Sequence, residues 1–157
     1  MQTKEQAAKF IVVGVINTFI DYLILNILIY VGFTAFLMLS GQKFLIANII
    51  SVSVAMINSF ILNRQWAFNA EKGNIYGQII KFIVVTVIGM FVVHQIVFNI
   101  FYYQLGYIFN FIVQIARFLN LTFLSKDFII LNFSKALAIS VSMVWNFIGY
   151  KFLVFKR

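Results

Sequence analysis

The pentapeptide Lys9-Phe10-Ile11-Val12-Val13 recurs as Lys81-Phe82-Ile83-Val84-Val85, and each copy is followed shortly by a glycine, Gly14 or Gly89. A second pair of segments matches in the same order. Ser53 to Phe68 lines up with Ser140 to Phe155, which sets Phe60 on Phe147, Arg64 on Lys151 and Phe68 on Phe155. The first match is offset by 72 residues and the second by 87, so the later half carries 15 additional residues between them. One apolar pentapeptide is weak evidence in so biased a composition. Two ordered matches with aligned basic residues indicate a duplicated two-element unit.

Composition says what the elements are. Of 157 residues, 63% are hydrophobic and 10% charged, with mean hydropathy +1.00. Soluble domains average about half apolar and a quarter charged, so this chain is a membrane protein. Its length admits four spans of about 20 residues with short connections and no separate soluble domain. Phe10 to Gly32 is the first span, interrupted only by Asn17, Asp21 and Asn26. No convincing small-residue cleavage site follows, so it is expected to remain as a helix. After the polar break Ser40-Gly41-Gln42-Lys43, a second span covers residues 44–62. The third covers residues 82–103, after the turn-forming stretch from Asn69 to Asn74. Residues 136–150 form the fourth. The expected architecture is all-α and integral to the membrane: a single transmembrane domain over residues 1–157. Each two-helix unit returns to its starting side, so the copies are parallel, related by a pseudo-two-fold along the membrane normal.

Residues 107–124 are apolar enough to suggest a fifth span, but Asn110, Gln114, Arg117 and Asn120 or Leu121 recur three to four apart, on one stripe of a helix. Such a segment suits an interfacial amphipathic helix between the third and fourth spans. With four spans, Lys4, Lys9, Arg64, Lys72, Lys81, Lys151, Lys156 and Arg157 fall on one side, and Lys43, Arg117, Lys126 and Lys135 on the other. Eight basic residues against four put both termini in the cytoplasm.

The same composition narrows function. Cysteine is absent, which removes disulfides, thiolate metal sites and cysteine nucleophiles. One histidine and four acids are too few for a zinc site or a Ser-His-Asp triad, so an enzyme is the weakest reading and no cofactor is expected. The net charge is +8, yet the cations are dispersed rather than clustered, which argues against nucleic acid as a partner.

Several polar residues are costly where they stand. Asp21 lies in the middle of the first span, where a charge costs about 2.5–3.5 kcal/mol on insertion scales. It shares a helical face with Gly14 and Asn17. Asp21 is either a translocation residue or interhelical glue in its protonated form. Helix two has Asn48, Ser51, Ala55 and Asn58 on one stripe, and helix four has Ala138, Ser142, Asn146 and Gly149. Small residues on such stripes usually mean packing, while Asn58 and Asn146, near the cytoplasmic end, could equally meet a sugar hydroxyl. His94, midway along helix three, is a proton relay or a neutral hydrogen-bonded group. Arg64 and Lys151 end helices two and four, with aromatics just beyond. They serve as positive-inside anchors, as a cation pair for a lipid phosphate, or as both.

Lys9-Phe-x-x-Val-Gly14-x-x-Asn17-x-x-x-Asp21, then Asn58-x-Phe60-x-x-Asn63-Arg64-x-Trp66-x-Phe68, then Asn146-Phe147 with Lys151 and Phe155, resemble the GtrA-like family of small four-helix bacterial membrane proteins over nearly the whole chain. The stretch from Gln104 to Lys135 is longer than that family's usual connection. The resemblance implies flipping of a polyprenyl-phosphate-linked sugar across the bacterial cytoplasmic membrane for cell-surface polysaccharide synthesis, alongside glycosyltransferase partners. On that basis Arg64 and Lys151 are candidates for the lipid phosphate, and Asn17, Asp21, Asn58, Asn63 and Asn146 for the track. Membrane lipids are the other expected contact, and a homo-oligomer would give a roomier wall than four helices. No Walker-type motif is present, so transport would run down a lipid gradient or with an ion. Two rivals are a non-transporting subunit that recruits a glycosyltransferase and a small proton-coupled exporter of hydrophobic cations. The exporter would need Asp21 but neither Arg64 nor Lys151.

Overall fold

A computed structural model describes residues 3–39, 42–121 and 124–156. Ser40 and Gly41, at the expected break after the first span, and Arg157, from the basic count, lie outside the described residues. Among the described residues, four helices are long and apolar enough to cross a membrane: α1 (Thr3–Tyr30), α2 (Ile46–Ala67), α3 (Ile75–Gln104) and, after the short α4 (Asn110–Phe118), α5 (Lys126–Val154). They contain 28, 22, 30 and 29 residues. At about 1.5 Å per residue each exceeds the roughly 30 Å of hydrocarbon. Between 6% and 22% of the most apolar window of each is buried within the chain. Phe19, Tyr22, Ile80, Phe91 and Val144 are among the many large apolar side chains left exposed. In water that would be untenable, but in lipid it is the expected surface.

The helices outrun their apolar cores for local reasons. Glu5 and Lys9 form an i,i+4 ion pair of 2.8 Å that carries α1 back to Thr3. Ser125 caps α5 by accepting the Phe128 N–H at 3.1 Å, with Asp127 in the first turn, so this helix begins ten residues before the apolar stretch at Ala136. α2 begins at Ile46 rather than at Phe44, because Phe44 and Leu45 belong to a strand. Strand β1 (Phe36–Leu39) pairs antiparallel with β2 (Gln42–Leu45), Phe36 opposite Leu45 and Met38 opposite Lys43. Hydropathy alone does not reveal this hairpin. The Ser-Gly dipeptide between two short apolar runs is the signal that could have found it.

The segment between α3 and α5 holds a 3₁₀ turn (Gly106–Phe109) and then α4. Nine residues reach about 14 Å and cannot cross the bilayer. Val113 and Ala116 of α4 are buried against Ile129 of α5, and the stripe of Asn110, Gln114 and Arg117 is exposed as the spacing predicts, together with Phe111, Ile115 and Phe118.

The chain divides into two compact units, one ending at Ile75 and the other running from Tyr76 to Lys156. Each is a helical hairpin, and the 87-residue offset holds for the buried seam and the terminal π-turn of its second helix. In the first, Ala47, Ser51 and Ala55 form the buried small-residue seam of α2, and an 87-residue shift lands on Ser134, Ala138 and Ser142, the buried seam of α5. Small side chains here let the antiparallel helices approach closely. α2 ends in a single π-turn (Asn63–Ala67) and α5 in another (Tyr150–Val154), again 87 residues apart. Each closes with an i+5 hydrogen bond, Phe68 N to Asn63 O at 2.9 Å and Phe155 N to Tyr150 O at 2.8 Å. Phe68 packs edge-on to Phe10, and Tyr150 stacks on Phe82 at 4.7 Å between ring centres.

Candidate functional site

The first hairpin carries two polar pairs across its seam. The Ser51 hydroxyl donates to the Asp21 carboxyl at 2.6 Å, and Asn58 Nδ2 donates to Asn17 Oδ1 at 2.7 Å. Ser51 is wholly buried and Asp21 partly so. Asp21 lies one turn further along α1 than Asn17, and Ser51 about two turns before Asn58 on α2, as an antiparallel pair of helices requires. The result is a short ladder of acceptors and donors in a surface that is otherwise apolar. Sequence spacing put Ser51 on a packing stripe, and its bond to Asp21 was missed. The signal was there: two polar stripes on consecutive helices joined by a short connection must face each other for either to avoid lipid.

Asn63 opens the π-turn of α2 and is 1% exposed. Its Nδ2 donates to the Ser59 carbonyl at 2.8 Å, and its Oδ1 is buried with no partner among the described residues. Beside it, Arg64 turns towards the following loop, where Nη2 donates to the carbonyls of Glu71 and Gly73. A guanidinium offers planar, multiple donors and so suits the clasping of two carbonyls.

The second hairpin answers these positions differently. Shifts of 72 and 87 residues place Gly89 and Trp145 where the first has Asn17 and Asn58, and Val93 and Ala138 where it has Asp21 and Ser51. Its hydrogen bonds run instead from Trp145 Nε1 to Val85 O at 3.1 Å, from Ser142 Oγ to Gly89 O at 3.0 Å, and between Thr86 and the Tyr150 hydroxyl at 2.7 Å. Asn146 stands beside Gly89, where an added Cβ would come within 2.5 Å of its Oδ1, an atom buried without a partner among the described residues. Lys151 takes the position of Arg64 in its π-turn, its ammonium 5.4 Å from the Phe152 ring centre. His94 opens a column of aromatics at helical spacing, stacked on Phe98, which stacks on Tyr102.

Of the residues singled out by sequence, Asn17, Asp21 and Asn58 thus come together in one seam. Asn63 and Arg64 stand at its end, and Asn146 and Lys151 belong to the other unit. Among the described residues, the side-chain pairs at the positions of Asn17, Asp21, Ser51 and Asn58 belong to the first copy, while the second bonds Ser142 and Trp145 to backbone carbonyls.

Two helical hairpins, each with a small-residue seam and a basic residue in a terminal π-turn, define a class of four-span membrane protein. The chain belongs to the GtrA/DPMS transmembrane-domain family, whose pattern it matches over residues 9–155. This family of membrane proteins is concerned with sugars carried on polyprenyl-phosphate lipids. Among curated proteins, none matches this sequence.

Proposed function

We propose that the protein flips a polyprenyl-phosphate-linked sugar from the cytoplasmic to the outer leaflet of the bacterial cytoplasmic membrane, as a transporter rather than an enzyme. Both termini face the cytoplasm in this reading, and glycosyltransferases make and use the sugar on either side. The observation that carries it is the Asp21–Ser51 and Asn17–Asn58 ladder in a chain of this family. A sugar crossing about 30 Å of hydrocarbon needs hydrogen-bonding groups along its path. The ladder offers a carboxyl and two amides, groups that exchange bonds readily with hydroxyls. The basic residues at the helix ends, Arg64 and Lys151 among them, draw the anionic lipid towards the cytoplasmic rim.

The test is reconstitution of the purified protein into vesicles with a synthetic polyprenyl-phosphate sugar, scoring how fast the sugar becomes accessible to an impermeant reagent on the far side. Acceleration over protein-free vesicles supports flipping. No acceleration, with glycosyltransferase still held at the membrane in cells, would instead identify a non-transporting recruiting subunit, for which Asp21 has no use.

A further inference from the structure

Lys9 and Lys81 occupy the same place in the two copies of the hairpin, but their surroundings differ. Lys9 is paired with Glu5 at 2.8 Å and lies 5.7 Å from the centre of the Trp66 ring, so its charge is balanced and its flank covered. The 72-residue shift puts Gly77 in the position of Glu5, and the 87-residue shift puts Leu153 in that of Trp66. The second copy therefore has neither the acid nor the ring. What stands there is a cleft of about 500 Å³ whose apolar walls include Val84, Val85, Phe152 and Leu153 and whose cations are Lys81 and Lys156. Small-molecule sites typically measure about 300–1,000 Å³. The one acid in this unit, Asp127, is in the first turn of α5, the opposite end of that helix from Lys156.

From this geometry we infer that the cleft between the start of α3 and the end of α5 binds an anionic amphiphile, a phosphate carried on a hydrocarbon chain. The inference rests on the transport reading above and assigns it a loading site. Two ammonium groups act as point charges for the phosphate, and apolar walls of this kind take the first part of the tail. In the first copy, the same lysine with its acid and tryptophan is built as a closed structural corner.

Farnesyl phosphate is the probe, titrated against the full chain in phosphatidylcholine nanodiscs, with farnesol and inorganic phosphate as competitors. Wild-type protein is expected to bind it. Lys81→Gln combined with Lys156→Gln should weaken binding by about tenfold or more, the scale of losing charge-assisted hydrogen bonds. Leu153→Trp, which keeps both charges and restores the ring of the first copy, should weaken it comparably, while Lys126→Gln at the other end of α5 leaves it unchanged. Unaltered melting temperatures establish that the variants are folded. Equal binding by wild type and both cleft variants overturns the site. So does competition by inorganic phosphate or by farnesol as strong as that of the probe, which would show a free-phosphate or a merely apolar site. If the wild type binds through this cleft but moves no lipid in vesicles, the site stands and flipping falls. If it moves lipid and the cleft variants do so equally well, flipping stands and the site falls.

Discussion

The Ser51 hydroxyl donates a hydrogen bond to the Asp21 carboxyl at 2.6 Å between α2 and α1 of the first hairpin, and the matching positions of the second hairpin are Ala138 and Val93. A hydroxyl can donate to a carboxylate or to the carbonyl oxygen of the neutral acid, so the bond survives either state of Asp21. The asymmetry between the copies means that polar side chains at these particular positions are not a general requirement of packing such a hairpin. The second one packs with apolar side chains at the same places.

The first prediction concerns this pair. Asp21→Asn keeps an acceptor for Ser51 and should retain transport if hydrogen bonding is what matters, whereas Asp21→Leu should abolish it. Ser51→Ala should cost about 1 kcal/mol of stability, in the range of interhelical hydrogen bonds in membranes. Vesicle transport and thermal melting measure these separately. Loss of transport in both Asp21 variants at normal protein levels would point to a titrating carboxyl and proton coupling. Full transport by a properly inserted Asp21→Leu protein would leave Asp21 as a packing group.

Gly149 tests the packing of the second hairpin. A Cβ at this position would lie 2.5 Å from Val85 Cγ1. Gly149→Ala should therefore lower stability by about 1–3 kcal/mol through overpacking. Val85→Ala in the same chain should recover part of the loss, because the two groups compete for one space. Melting temperatures of the two single variants and the double variant give the coupling directly, and additive losses would refute the contact.

Arg64 is predicted to order the loop after α2 through the carbonyls of Glu71 and Gly73. Arg64→Ala should speed amide hydrogen exchange over residues 69–74, and Arg64→Lys should restore only part of the protection, since an ammonium lacks the planar fork. If Arg64 also meets lipid phosphate, raised salt should weaken lipid binding by the wild type more than by Arg64→Ala. Unchanged exchange in the alanine variant would remove the clasp.

The orientation prediction uses the absence of cysteine in the chain. Single cysteines at Gln42 and Ser125 should react with an impermeant thiol reagent added to intact cells, and one at Asn74 only after lysis. The opposite pattern would place the termini outside and move the proposed loading cleft to the wrong leaflet.

The number of spans, their apolar centres and the repeat could be read from the chain alone, because they depend on local properties, whereas the helix ends could not. A bilayer demands an unbroken apolar run of about 20 residues per helix, and the lysine-led pentapeptide repeats regardless of how the copies sit. The face shared by Gly14, Asn17 and Asp21 follows from helical spacing in the same way, as does the exposed stripe of Asn110, Gln114 and Arg117 on α4. Tertiary structure alone decided which polar groups meet. Ser51 bonds Asp21 because of the rotation of α2 about its axis and its register against α1, and neither is set by spacing within one helix. Arg64 reaching two loop carbonyls, Phe44 joining a strand instead of a helix, and the cleft left where Leu153 replaces a ring are likewise relations between distant residues. They arise when packing chooses one arrangement among several that the hydropathy pattern permits equally.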